Sequence, residues 1–298
     1  MPSSKVYFTR DITPLSLVKA YDVLAEDLSG KIAVKISTGE PGGHNYLNPA
    51  LIKDLVDKFQ ATICECNTAY GGKRSSVADH LQTAAEHGFT DIAPIDIMDS
   101  QGELEIPVTG GKHLDVDIVG GHLPDYDGLI NLAHFKGHAM GGFGGVIKNQ
   151  SIGLASRAGK VYIHSAGQSR DPNAFWDTIA AQNDFLESMA EAAKAVADYY
   201  HTLGKKIVYL NVMNNLSVDC DCDSDPEDPC MADIGILSST DPVAADQAAI
   251  DLIWQSTDPG RDHFVERVER QNGRHLLPYA GSIGLGSRQY ELIDLDQQ

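Results

Sequence analysis

Short apolar runs alternate with longer amphipathic stretches along the whole chain. Lys5 to Phe8, Ile32 to Ile36, Ala61 to Cys66, Ile92 to Ile97, Val116 to Val119 and Ile207 to Val212 are short and apolar, and each predicts a strand. Gly128 to Phe135 (GLINLAHF) is a further apolar run, and Ile234 to Leu237 is a shorter one. Helices are predicted from Pro14 to Leu28, with Thr13 as N-cap and Gly30 beyond the end, and from Pro49 to about Phe59. Others are predicted from Ser75 to about His87 and from Asp241-Pro242 to about Trp254. The most regular helical pattern is Asn173 to Leu203, where Phe175, Ile179, Leu186, Met189, Ala193, Val196 and Tyr200 recur near a 3.5-residue period. Strands alternating with helices predict an α/β fold, a largely parallel or mixed sheet flanked by helices. It forms either one domain over residues 1–298 or two lobes with the site between them.

Charge narrows the function classes. The 298 residues carry 42 Asp+Glu against 23 Lys+Arg, a formal net charge of −19. Such a chain repels phosphate backbones, so no nucleic-acid partner is expected. No apolar run reaches 18 residues, and the opening residues have no apolar secretory core, so no membrane partner is expected. The five cysteines, Cys64, Cys66, Cys220, Cys222 and Cys230, are odd in number and crowded into two segments. They predict reduced thiols in a cytoplasmic protein rather than a disulfide framework.

Four segments carry candidate chemistry. His134 to Asn149 (HFKGHAMGGFGGVIKN) follows a predicted strand, the position at which open α/β sheets bind ligands. His134 and His138 are candidate acid/base groups or ligands, Lys136 and Lys148 candidate anion or adduct groups, and Gly144 and Gly145 allow close backbone approach. Asn67 to Arg74 (NTAYGGKR) also follows a strand, with Asn67, Tyr70 and Arg74 as candidate anion contacts. In Asp219 to Cys230, Cys220, Cys222 and Cys230 suit a soft metal, with a solvated acidic loop as the alternative. A calcium loop does not fit, because Ser224 replaces its glycine and Cys230 its closing glutamate. Ser238 to Asp246 ends another strand, and Asp246 stands one turn into the next helix.

Taken in order, NTAYGGKR (67–74), HFKGHAMGGFGGVIKN (134–149), the predicted strand Gly159 to His164, DCDC (219–222) and DIGILSSTDPVAADQA (233–248) resemble the DUF362 family, often labelled uncharacterised Fe-S centre proteins. Many members carry a ferredoxin-like insert after the position of His164. Here Ser165 to Pro172 stands in its place without a cysteine, so no ferredoxin-type [4Fe–4S] cluster is expected. The chain is more weakly similar to the nickel-pincer lactate racemase family, through His138, Gly142-Phe143-Gly144-Gly145, Lys148 and His164. That resemblance implies an acid/base role for His138, a cofactor anchor at Lys148 and a metal ligand at His164.

The expected function is therefore a metal- or cofactor-dependent enzyme, an isomerase or oxidoreductase, acting on a small anionic molecule. Its site is the rim formed by the loops after residues 66, 135 and 238. A divalent zinc, iron or nickel ion is expected, with ligands drawn from His138, His164, Cys220, Cys222 and Cys230, and assembly as a homo-oligomer is compatible with the sequence. Two other readings compete: a non-catalytic metal or redox module built on Cys220, Cys222 and Cys230, and an acidic scaffold for a basic partner.

Overall fold

The computed structural model describes residues 3–297. In chain order the elements are β1 (Ser4–Thr9), α1 (Pro14–Asp22), β2 (Ile32–Lys35), α2 (Pro49–Phe59), β3 (Thr62–Glu65), α3 (Val77–Glu86), β4 (Ile95–Ile97), β5 (Glu103–Pro107), β6 (Val116–Gly120), β7 (Gly128–His134), β8 (Lys136–His138) and β9 (Gly142–Gly144). They continue with α4 (Val146–Leu154), α5 (Arg157–His164), α6 (Gln182–Thr202), β10 (Lys206–Met213), β11 (Gly235–Ser239), α7 (Pro242–Gln255), α8 (Arg261–Arg270), α9 (Leu276–Ser282) and β12 (Tyr290–Asp294).

One eight-stranded sheet has the order β12-β1-β11-β10-β7-β2-β3-β4. The strands from β10 to β4 pair in parallel, as do β1 and β12. β11 runs against both of its neighbours. The sheet is thus mixed and largely parallel, as the alternating pattern predicts. Its two faces follow the period of two along each strand. Ile130, Leu132, Val208 and Leu210 join Leu17 of α1, Leu51 and Leu55 of α2 and Ala84 of α3 in one core. Leu129 packs on the other face with Leu154 of α4 and Val196 of α6. Ala133 and Tyr209 meet Val146 of α4 and Ala245 of α7 there.

That second face also carries polar side chains, and they position α4. Asn131 Nδ2 donates to the Val146 carbonyl at 2.9 Å, and Asn149 Nδ2 donates to Asn131 Oδ1 at 2.8 Å and to the Lys35 carbonyl at 3.0 Å. Asp246 of α7 accepts the first two amides of α4, Val146 N–H at 2.9 Å and Ile147 N–H at 3.0 Å. It also accepts Asn211 Nδ2 at 2.8 Å. A Cβ on Gly145 would lie 2.2 Å from Asp246 Oδ1, which is why glycine precedes this helix.

Several elements differ from the sequence expectation. Gly159 to His164 is helical rather than extended: Ser156 caps α5 by accepting Gly159 N–H at 3.1 Å. A Cβ on Gly159 would fall 1.9 Å from the Ile118 carbonyl, so α5 lies backbone to backbone on β6. The long helix begins at Gln182, because Pro172–Ala174 forms a separate 3-10 turn although Phe175 and Ile179 keep the apolar spacing. α1 stops at Asp22 and β4 is confined to Ile95–Ile97. The glycine-rich stretch after β7 is a tight β8–β9 hairpin, not a loose loop. Gly142 has φ +79° there, and a Cβ on it would lie 3.0 Å from the Val268 carbonyl. Substituting Asp246 by Ala orphans two buried amides, and a loss of about 2 kcal/mol in chemical denaturation is expected.

Candidate functional site

A cavity of about 560 Å³ opens at the carboxyl ends of β2, β3 and β7. The β8–β9 hairpin, the first turn of α4, one face of α5 and the Asp219–Ser224 segment complete its walls. Two of the expected rim loops, those after residues 66 and 135, meet here. The segment after residue 238 does not, because β11 runs antiparallel to β10 and delivers its carboxyl end beside the amino end of that strand. Asp246 accordingly lies behind α4 rather than in the cavity, and burial lifts its carboxyl to about 6.

The buried carboxylates lining the cavity, Glu40, Glu65 and Asp221, are matched by cations. Asp221 accepts His134 Nδ1 at 2.8 Å and Lys136 Nζ at 2.7 Å. His134 and Lys136 hold its carboxyl well below the usual carboxylate range despite its burial. Arg74 is buried between Glu40 and Glu65. Glu65 also stands 3.8 Å from Lys35 Nζ, and Lys35 and Arg74 hold it low against the opposing effect of burial. Burial lowers Lys35 to about 8.

Lys148 is the exception. Its amine has no hydrogen-bond or ion-pair partner among the described residues, and burial together with the Lys136 charge brings it down to about 7. Lys160, one turn before His164 on α5, donates to the Ala155 carbonyl and is lowered by burial. Lys148 and Lys160 leave the cavity interior with more cation than carboxylate.

Two of the imidazoles lining this space, His138 and His164, carry opposite hydrogen-bond patterns. His138 Nδ1 accepts Gly141 N–H at 2.8 Å and Met140 N–H at 3.2 Å. Its neutral ring therefore bears the proton on Nε2. Burial and the nearby Lys148 push its pKa well down. His164 is reversed: Nδ1 lies 2.7 Å from the Lys160 carbonyl and must donate, so Nε2 keeps a lone pair. Burial brings His164 to about 4, and Phe185 stacks on it at 4.6 Å. One imidazole thus offers an N–H and the other an acceptor.

The remaining expected residues divide. Tyr70, Gly144 and Gly145 line the cavity, but the helix amides after Gly145 are taken by Asp246 rather than left for an anion. Arg74 lines it with its guanidinium committed to two carboxylates, and Lys136 with its amine committed to Asp221. His134 faces Asp221 through Nδ1 and the Asn214 carbonyl through Nε2, at 2.7 Å, which leaves neither nitrogen for a metal or substrate. Asn67 is outside the cavity, bound to Asp99. Cys220 and Cys222 are joined in a disulfide on the cavity wall, against the expectation of reduced thiols throughout. Cys230 stands apart, donating to the Leu216 carbonyl. A metal shared by Cys220, Cys222 and Cys230 therefore does not fit this arrangement. His138, Cys220 and Cys222 do bring their donor atoms within 4.8 Å of one another.

Sequence reasoning missed Lys35, Lys160 and Asp221 as site residues. In the DCDC segment the cysteines suggest a metal, while its central aspartate is what ties the segment to His134 and Lys136. Lys160 is not distinguished when Gly159 to His164 is taken as a strand; its spacing of four from His164 is the helical signal that places both on one face.

The family model described as "Domain of unknown function (DUF362)" matches residues 32–251, and the chain belongs to that family. Comparison with curated proteins gives no match. Among solved structures the chain is similar to the lactate racemase apoprotein from Thermoanaerobacterium thermosaccharolyticum, with 13% identity and a TM-score of 0.48, over 83% of this chain and 56% of that one. A protein from Thermotoga maritima gives 10% identity and a TM-score of 0.48, over 80% of this chain and 58% of that one. The chain thus spans less than two thirds of either. No helix among the described residues is long and apolar enough to cross a membrane.

Replacing Asp221 by Asn removes the charge that neutralises buried Lys136, and a loss of about 3–5 kcal/mol is expected in urea denaturation at pH 7. A carboxyl depressed in the fold contributes fully above its unfolded pKa of about 4 and loses that contribution as pH falls below it. The Asn variant should therefore show a shallower fall in stability between about pH 4 and pH 2 than the wild type.

Proposed function

We propose that the cavity binds a small anionic molecule and moves a proton on it, as a cofactor-dependent isomerase or oxidoreductase. The observation that carries this reading is the pair of oppositely protonated imidazoles, His138 offering Nε2–H and His164 offering a bare Nε2, around an unpaired Lys148 amine. In its ammonium form Lys148 attracts the anion, and in its neutral form it is a nucleophile that can anchor a cofactor. His138 donates a hydrogen bond to developing negative charge, and His164 accepts a proton or ligates a metal.

The donor set fits a metal in one particular way. His164 has the arrangement of a metal ligand, with its far nitrogen held by a carbonyl. His138 does not, because a metal at Nε2 would have to displace a proton. A single imidazole is too few for a divalent ion held by protein alone. Zinc, iron or nickel would therefore come on a cofactor that brings further ligands, supplying Lewis-acid or redox chemistry beside Lys148.

Two measurements test the reading. Titration of oxalate, malonate and inorganic phosphate, followed by the fluorescence of Trp176 on the cavity wall, should show saturable binding of at least one of them. Lys148→Ala should weaken it about tenfold or more. That variant should keep its thermal midpoint, since it breaks no ion pair; undiminished affinity would overturn the assignment. The pH profile has a definite sign. Lys148 is charged below about 7, so affinity for oxalate should fall as pH rises from 6 to 8 in the wild type and fall less steeply in the Ala variant, where only Lys35, at about 8, still discharges in this range. For the metal, anaerobically purified protein should contain it substoichiometrically or stoichiometrically, and His164→Asn should deplete it; equal content in both would remove His164 as a ligand.

A further inference from the structure

The Cys220–Cys222 disulfide is a reactive group on the cavity wall that the proposed proton chemistry leaves unused. Three features distinguish it from a structural staple. It closes a ring across a single residue, with Cα atoms 5.2 Å apart, so it joins no distant parts of the chain. A bridge over so short a loop restricts the unfolded chain little. It lines the cavity, with Cys222 half-buried and Cys220 only 4% exposed. And His138 Nε2 lies 3.9 Å from Cys222 Sγ, with all three donor atoms within 4.8 Å of one another.

We propose that Cys220 and Cys222 form a redox-active dithiol–disulfide couple whose reductant is a small thiol or dithiol entering this cavity. A thiolate is itself an anion, and the unpaired Lys148 in its ammonium form favours its entry. It attacks the accessible Cys222 sulfur. The new S–S bond forms there, the Cys220–Cys222 bond breaks, and the electron pair leaves on Cys220 Sγ. The second sulfur of a dithiol reductant then attacks its partner in the mixed disulfide and releases the Cys222 thiolate. Two electrons pass from the dithiol to the protein; the dithiol leaves as a cyclic disulfide, and the protons it loses are replaced on the two cysteines from water. His138 Nε2–H, facing Cys222 Sγ, donates its hydrogen bond to the Cys222 thiolate as it is released, without giving up the proton, a role set by the two backbone amides that hold Nδ1 as an acceptor.

The surroundings also favour reversal. Asp221, between the two cysteines, is held by His134 and Lys136 through its carboxylate, and its carbonyl accepts Glu40 N–H at 2.8 Å. The backbone is thus fixed on its own account, and opening the S–S bond leaves the two sulfurs adjacent. This inference is independent of the identity of the anion.

The experiment equilibrates the folded full-length protein anaerobically with reduced and oxidised dithiothreitol at varied ratio, quenches with a maleimide, and counts labels by mass. Two ratio-dependent labels per chain, beyond any constant label on the free thiol Cys230, should appear and disappear reversibly and map to Cys220 and Cys222; in Cys222→Ser no label should depend on the ratio, because Cys220 then has no disulfide partner. Cys64 is fully buried and lies outside the cavity lining, so it serves as the internal control for folding. Under limiting dithiothreitol, His138→Leu should slow native-state reduction about tenfold or more, and His138→Gln, which retains an N–H donor, should recover part of the rate. A bond that opens only when Cys64 also labels, and so only on unfolding, would overturn the proposal. So would two thiols that stay reduced at every ratio, or a reduction rate unchanged in His138→Leu.

Discussion

The start of α4 rests on one buried carboxylate, and the site depends on where that helix starts. Asp246 satisfies two amides that would otherwise be orphaned inside the protein, and Asn211 steadies it from the sheet. Burying a carboxylate is costly, as its raised pKa records. The return is geometric. Because the helix can start at only one place, Lys148 stands in the first turn facing the cavity, and Asn149 reaches both Asn131 and Lys35. Gly145 is the corollary, since any side chain there would collide with the carboxylate.

A second carboxylate does for the hairpin side what Asp246 does for the helix side. Asp221 ties the 219–224 segment to His134 at the end of β7 and to Lys136 at the start of β8. The cavity wall is thereby assembled from sheet, hairpin and a loop some 80 residues further along the chain. The acidic exterior and the cation-rich interior then have separate roles. The net charge of −19 is a property of the whole chain and sets its long-range field. The few unmatched amines inside decide which ligand charge is tolerated, because at low dielectric local pairs outweigh distant charge.

The histidines show how position changes the meaning of a residue type. His134, His138 and His164 all line the cavity. His134 is consumed by a carboxylate and a carbonyl, His138 is an N–H donor and His164 a lone-pair acceptor. What separates them is the partner of the nitrogen that faces away from the ligand, a backbone amide in one case and a backbone carbonyl in another.

The sequence by itself determined the α/β class, most strands of the main sheet, the family, and the placement of the His134–Asn149 segment at a strand end. These follow from local quantities: the period of apolar residues, capping residues and ordered motifs. It did not determine that Gly159–His164 is a helix, because Val161, Tyr162 and Ile163 favour strands while backbone packing on β6 decides the matter. Nor did it reveal that β11 runs antiparallel and carries its strand end away from the site, since strand direction is set by pairing between distant segments. The commitment of Arg74 and Lys136 to carboxylates, the pairing of Cys220 with Cys222, and the opposite tautomers of His138 and His164 are likewise tertiary facts. Each depends on which group from elsewhere in the chain arrives within about 3–4 Å, a distance at which hydrogen bonds and ion pairs act and which residue type alone does not encode.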